Sequence, residues 1–175
     1  GFSAGAHNCA MFSVYYDKPV VCERFHKSPG YFRPAAVILA YMLSDYLEMK
    51  KICADGEARE FFAVSNLAFL GNTDPDDETF AAISPALLVS ESAPPMFLWA
   101  TSEDNLIPVE QTTEMATALA KNRVPFELHV FERGPHGLGL ADQTSSADAS
   151  LMDADAAKWI GLAESWLLKR FALLP

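Results

Sequence analysis

Gly1-Phe2-Ser3-Ala4-Gly5 fits the pattern G-x-S-x-G, in which a tight strand-to-helix turn forces a serine into strained backbone and exposes its hydroxyl. The glycines leave room for that turn. The plainer alternative is a glycine-rich turn with Ser3 as a helix cap. A helix beginning just after Ser3 would add unpaired N–H groups and a positive dipole end, which suit a developing oxyanion.

A serine hydroxyl is a poor nucleophile at neutral pH and needs a base within hydrogen-bond reach, itself held by a carboxylate. His136, in the glycine-rich stretch Gly134-Pro135-His136-Gly137-Leu138-Gly139, is the best candidate base. Asp104, in Thr101-Ser102-Glu103-Asp104-Asn105, is the best candidate acid. Adjacent Glu103 stays open as the acid, and Asp45 is an outside candidate. Capping of a helix near Pro108 is the plain alternative for Asp104. His7 stands one helical turn after Ser3, where a side chain points away from the exposed hydroxyl, so it reads as a packing residue or a support to the site. His26 and His129 read as structural.

These residues need a scaffold that brings distant segments to one rim. Residues 4–16 carry apolar side chains at near-helical spacing and predict that helix after Ser3. Residues 19–34 mix Pro, Gly, Lys and aromatics without a sustained period and read as a surface loop, whose aromatics suit core or lid packing more than a sugar platform. Three apolar runs, Ala35–Tyr41, Met96–Thr101 and Phe126–Phe131, read as strands of a parallel sheet. Val109–Lys121 is predicted as a helix ending at Asn122, and 153–171 as a long amphipathic closing helix. The region 45–94, with a helical stretch at 57–70 and an acidic turn at 71–78, looks like an insertion or lid. Strand and helix alternation argues for an α/β fold in three layers, an α/β/α sandwich. Asp104 then falls just past the end of the second strand and His136 just past the third, where ligands gather in open α/β sheets.

The 175 residues are half hydrophobic and suit one well-cored domain. With 13 Lys+Arg against 23 Asp+Glu, the formal charge is −10, which disfavours nucleic acid and anionic membrane surfaces as partners. No apolar stretch approaches the ~20 residues of a membrane helix, and no basic-then-apolar leader opens the chain. A soluble, cytoplasmic protein is the expectation. Cys9, Cys22 and Cys53 are odd in number and lack metal-ligand spacing, so free thiols are expected, with no metal and no cofactor.

Gly1–His7, Ser84-Pro85, Pro95–Val109 and above all Pro125–Ala141 resemble the α/β-hydrolase esterases of the acetyl-xylan esterase and lipase/esterase kind. The resemblance covers most of the chain and is weakest from Pro19 to Leu70. It implies an α/β-hydrolase fold, with Ser3 as nucleophile, Asp104 as acid, His136 as base and the Ala4 N–H as one oxyanion donor. Small Ala4, where the related oligopeptidases often carry a bulkier aromatic, favours small esters. The implied substrates are short acyl esters, including acetylated sugars or xylo-oligosaccharides. A serine peptidase of the oligopeptidase type and a non-catalytic hydrolase-like binding module are the alternatives.

In that family several strands, and a His-Gly-Gly-Gly-type loop carrying a second oxyanion N–H, precede the serine. No such glycine cluster occurs in residues 1–175. The expectation is therefore the C-terminal portion of one hydrolase domain, incomplete without an N-terminal segment of the same domain and weakly active or inactive alone. Self-association as a homo-oligomer stays open.

Overall fold

A computed structural model describes residues 1–172. Its centre is a parallel sheet of β1 (Val37–Ala40), β2 (Met96–Thr101) and β3 (Phe126–Phe131), in that order across the sheet. Val37 stands opposite Met96, and Met96 opposite Phe126, which brings the C-terminal ends of the strands to one rim. Every residue of β2 is buried, while β3 is half-buried with Val130 exposed, as befits an edge.

Alternation along the strands sends side chains to two apolar cores. On one face, Val37, Leu39, Met96 and Leu98 pack with α1 (Ala4–Tyr15), α7 (Pro85–Leu88) and α8 (Val109–Lys121). On the other, Ala40, Phe97 and Trp99 pack with Trp159, Ala163 and Trp166 of α9 (Trp159–Phe171). Phe97 and Trp99 are fully buried, so truncating either to Ala should cost about 3–5 kcal/mol. Helices on both faces of a parallel sheet make the three-layer arrangement expected from the alternation of elements.

Gly1 and Phe2 run alongside the C-terminal end of β1. Phe2 forms a parallel bridge with Ala40, the Ser3 N–H donates to the Ala40 carbonyl at 3.0 Å, and the Ala40 N–H donates to the Gly1 carbonyl at 3.1 Å. The serine thus stands between that bridge and the start of α1.

Two segments differ from their expected form. Residues 19–34 contain two short helices, α2 (Pro19–Phe25) and α3 (Pro29–Phe32), each opened by a proline whose fixed φ suits the first helical position. Such short helices show no apolar period. The closing helix begins at Trp159 rather than at 153, because the Asp153 carboxylate accepts from the N–H groups of Asp155 and Ala156 and holds a turn there. Within α9, Trp159, Ala163 and Trp166 are buried, whereas Ile160 is half exposed.

Between β1 and β2 lie α4 (Tyr46–Ile52), α5 (Gly56–Leu70), α6 (Asp77–Ala82) and then α7. Met49, Cys53, Phe62 and Phe80 give α4–α6 an apolar cluster separate from those against the sheet. All three cysteines are free thiols; Cys53 is buried and the other two half-buried. No described helix is long and apolar enough to cross a membrane.

Candidate active site

Ser3 has φ 51° and ψ −122°, a left-handed φ that costs a serine conformational energy and persists because its surroundings fix it. The Ala40 carbonyl holds its N–H, and α1 begins at the next residue. Gly1 is required by close approach: a Cβ there would lie 2.5 Å from the Gly5 carbonyl oxygen. Gly5 differs, since a Cβ there would meet nothing within 4 Å, so the turn uses only one of the two glycines for room.

Ser3 Oγ lies 2.7 Å from His136 Nε2, and His136 Nδ1 lies 2.7 Å from Asp104 Oδ2. A carboxylate accepts, so Nδ1 carries the ring proton and Nε2 offers its lone pair to the serine hydroxyl. The Asp104 side chain is 1 % exposed and that of His136 14 %. Asp104 Oδ1 accepts from the N–H groups of Leu106 and Ile107, so both carboxylate oxygens are engaged and the acid is fixed in its loop. It does not cap α8.

The rivals for these roles sit elsewhere. Glu103 Oε2 accepts from the Gly134 N–H and braces the loop that carries His136. Asp45 Oδ1 caps α4 through the N–H groups of Leu47 and Glu48. His7 is buried, and its Nδ1–H donates to the Leu43 carbonyl at 3.1 Å; burial lowers its pKa and keeps it neutral. His26 follows α2 in a left-handed conformation, and His129 pairs with Glu127 on β3.

Ala4 is exposed beside Ser3, and its N–H makes no backbone hydrogen bond among the described residues, as expected at a helix start. That donor is available to a negatively charged oxygen. A cavity of about 360 Å³ opens from Ser3 and Ala4 and is walled mainly by Leu43 and by Tyr46, Phe62 and Phe69 of α4 and α5. Burial pushes the Tyr46 hydroxyl up to about 12, so it stays protonated. Among the described residues no group of three or more His, Cys, Asp or Glu side chains is arranged to hold a metal ion.

A parallel sheet whose C-terminal rim carries a serine at a strand-to-helix turn, with histidine and carboxylate on the loops after neighbouring strands, is the α/β-hydrolase arrangement. Residues 1–119 match the BD-FAE family, and the chain belongs to it. It is 34 % identical over 146 residues to endo-1,4-beta-xylanase B of Butyrivibrio fibrisolvens, which covers 81 % of this chain and 20 % of that protein. The acetyl ester-xyloside bifunctional hydrolase of Caldicellulosiruptor lactoaceticus superposes with a TM-score of 0.72 at 34 % identity, over 97 % of this chain and 54 % of its own. The carboxylesterase Cest-2923 of Lactobacillus plantarum WCFS1 gives 0.72 at 25 % identity, over 97 % and 56 %. The chain spans about half the length of these two structures and a fifth of the xylanase.

Proposed function

We propose that this chain supplies the nucleophile, base and acid of a serine hydrolase of carboxylic esters, acting on short acyl groups carried by sugars such as xylo-oligosaccharides. The observation that carries the reading is the continuous hydrogen-bonded line from Ser3 through His136 to Asp104. Its likeness to an acetyl ester-xyloside hydrolase and to a xylanase supports the sugar-ester substrate.

In the proposed cycle His136 Nε2 takes the Ser3 proton as Oγ attacks the ester carbonyl. Asp104 holds the imidazole tautomer and stabilises the imidazolium that forms. The Ala4 N–H donates to the oxyanion of the tetrahedral intermediate. The alcohol departs with the proton from His136, leaving an acyl-serine. Water, deprotonated by the same histidine, attacks the acyl carbon and releases the acid.

The second oxyanion donor and the strands beyond Gly1–Phe2 belong, in this reading, to an N-terminal segment of the same domain. The chain's coverage of about half of the related structures supports that. Removal of one oxyanion donor costs about 10²–10³ in rate. The chain by itself is then expected to turn over esters that much more slowly than the complete protein.

The test is Ser3→Ala in the complete protein, assayed with p-nitrophenyl acetate, acetylated xylo-oligosaccharide and a peptide anilide. Loss of both ester activities supports the reading. Unchanged ester turnover would refute it, and preferential anilide cleavage by the parent protein would make it a peptidase instead.

A further inference from the structure

We propose that Tyr41 is a positioning residue for His136, an inference that rests on His136 being the base. The loop carrying His136 has positive φ at Gly134 (117°), Gly137 (92°) and Gly139 (61°), a path that belongs to neither helix nor strand. Such backbone is held in place by contacts from outside it. Upstream of His136, the Gly134 carbonyl accepts from Thr101 Oγ1 at 2.6 Å and its N–H donates to Glu103. Downstream, the Gly139 N–H donates to the Tyr41 phenol oxygen at 3.1 Å, and the Gly139 carbonyl accepts from Trp159 Nε1–H at 3.0 Å.

Tyr41 also packs edge-on against the imidazole. Its ring centroid lies 4.9 Å from that of His136 at an interplanar angle of 72°, and it is wedged against Trp99 at 5.1 Å and 90°. Tyr41 is 4 % exposed, so the ring has little room to move. Its φ of 38° departs from ordinary strand geometry directly after β1. The preceding residue, Ala40, pairs with Gly1 and Ser3. The dipeptide Ala40-Tyr41 therefore fixes both partners of the Ser3–His136 hydrogen bond: the serine through its backbone, the histidine through ring contact and through the peptide at Gly139.

A reacting pair is sensitive to sub-ångström displacement, and about 1 Å of misplacement can cost 10²-fold. Tyr41→Phe keeps the ring and deletes the acceptor for Gly139. The expected result in the complete protein is a fall in kcat of about tenfold with KM changed less than twofold. The downfield proton resonance of the His136 Nδ1–H should broaden or move as the loop loosens. Trp159→Phe releases the carbonyl of the same residue, Gly139, and should repeat the pattern. The two losses should combine less than additively because both act on the backbone of one residue, Gly139.

Tyr16→Phe is the stability control. Its hydroxyl donates to the Ser92 carbonyl at 2.7 Å, and Tyr16 is as buried as Tyr41, yet it serves no part of the site. It should lower Tm comparably and leave kcat unchanged. If Ser3→Ala is inactive while Tyr41→Phe and Trp159→Phe keep the parent's kcat and Nδ1–H resonance, the role of Tyr41 is overturned and the assignment of Ser3 stands. Equal kcat losses in Tyr41→Phe and Tyr16→Phe also overturn it. Full activity in Ser3→Ala overturns both readings.

Discussion

Asp104 meets His136 with one carboxylate oxygen, Oδ2 to Nδ1 at 2.7 Å, while its other oxygen accepts two backbone N–H groups at 2.9 and 3.0 Å. The division of labour between the two oxygens makes the acid's replacement informative. In Asp104→Asn the two N–H groups keep the amide oxygen on their side, which turns the NH₂ toward His136 Nδ1. The imidazole must then carry its proton on Nε2 and can no longer accept from Ser3. We expect kcat to fall by about 10⁴-fold with the fold intact, measured on the ester substrate. Glu103→Gln, which touches only the loop through the Gly134 N–H, should cost about tenfold or less.

The two glycines flanking Ser3 should respond in opposite ways. Gly1→Ala puts a Cβ against the Gly5 carbonyl oxygen and should destabilise the turn by about 1–3 kcal/mol and lower activity with it. Gly5→Ala meets open space inside α1 and should raise stability by about 0.5–1 kcal/mol. Denaturant midpoints read both. Equal losses at the two positions would contradict this account of the turn.

Glu114 on α8 gives a pH dependence of stability. Burial first, then the negative charges of Asp45 and Glu48, raises its pKa from 4.5 to about 7; Glu110 adds to the rise and Lys51 opposes it. Its Oε2 is buried without a hydrogen-bond partner among the described residues. The folded state therefore binds a proton that the unfolded state has already released between those two values. Stability is lost as pH rises through that window. Glu114→Gln should raise Tm at pH 8 and leave it nearly unchanged at pH 4. A Tm gain of the same size at both values would show that Glu114 does not titrate this way.

The cavity beside Ser3 predicts where substrate size is sensed. Phe69 forms part of its wall and is itself half exposed, so truncating it removes contact area at little cost to the fold. Phe69→Ala should raise KM for the sugar ester severalfold with kcat held, the mark of binding lost equally in ground and transition states. Steady-state kinetics on acetylated xylo-oligosaccharide checks it. A fall in kcat at constant KM would place Phe69 in the chemistry instead.

Sequence alone was enough wherever the physics is local. The apolar runs around β1, β2 and β3 signal a buried parallel sheet because a strand covered on both faces needs apolar side chains at nearly every position. The helix predicted over Val109–Lys121 is α8, and it sends Met115, Ala116 and Leu119 into the core. The glycine–serine pentapeptide marked the strained turn, and the position of Asp104 and His136 just past strands marked them as candidates. Local pattern failed where elements were short or capped from outside: α2 and α3 have too few residues for a period, and Asp153 delays α9 through bonds to its own neighbours.

What the sequence could not fix was the meeting of side chains 133 residues apart. Two facts belong to the tertiary structure alone: that Asp104 rather than Glu103 faces His136, and that Tyr41 reaches Gly139. Each depends on the strand register, which sets where a loop leaves the sheet, and on packing between elements distant in sequence, which sets where its side chains point. Those long-range terms leave no trace in the spacing of neighbouring residues.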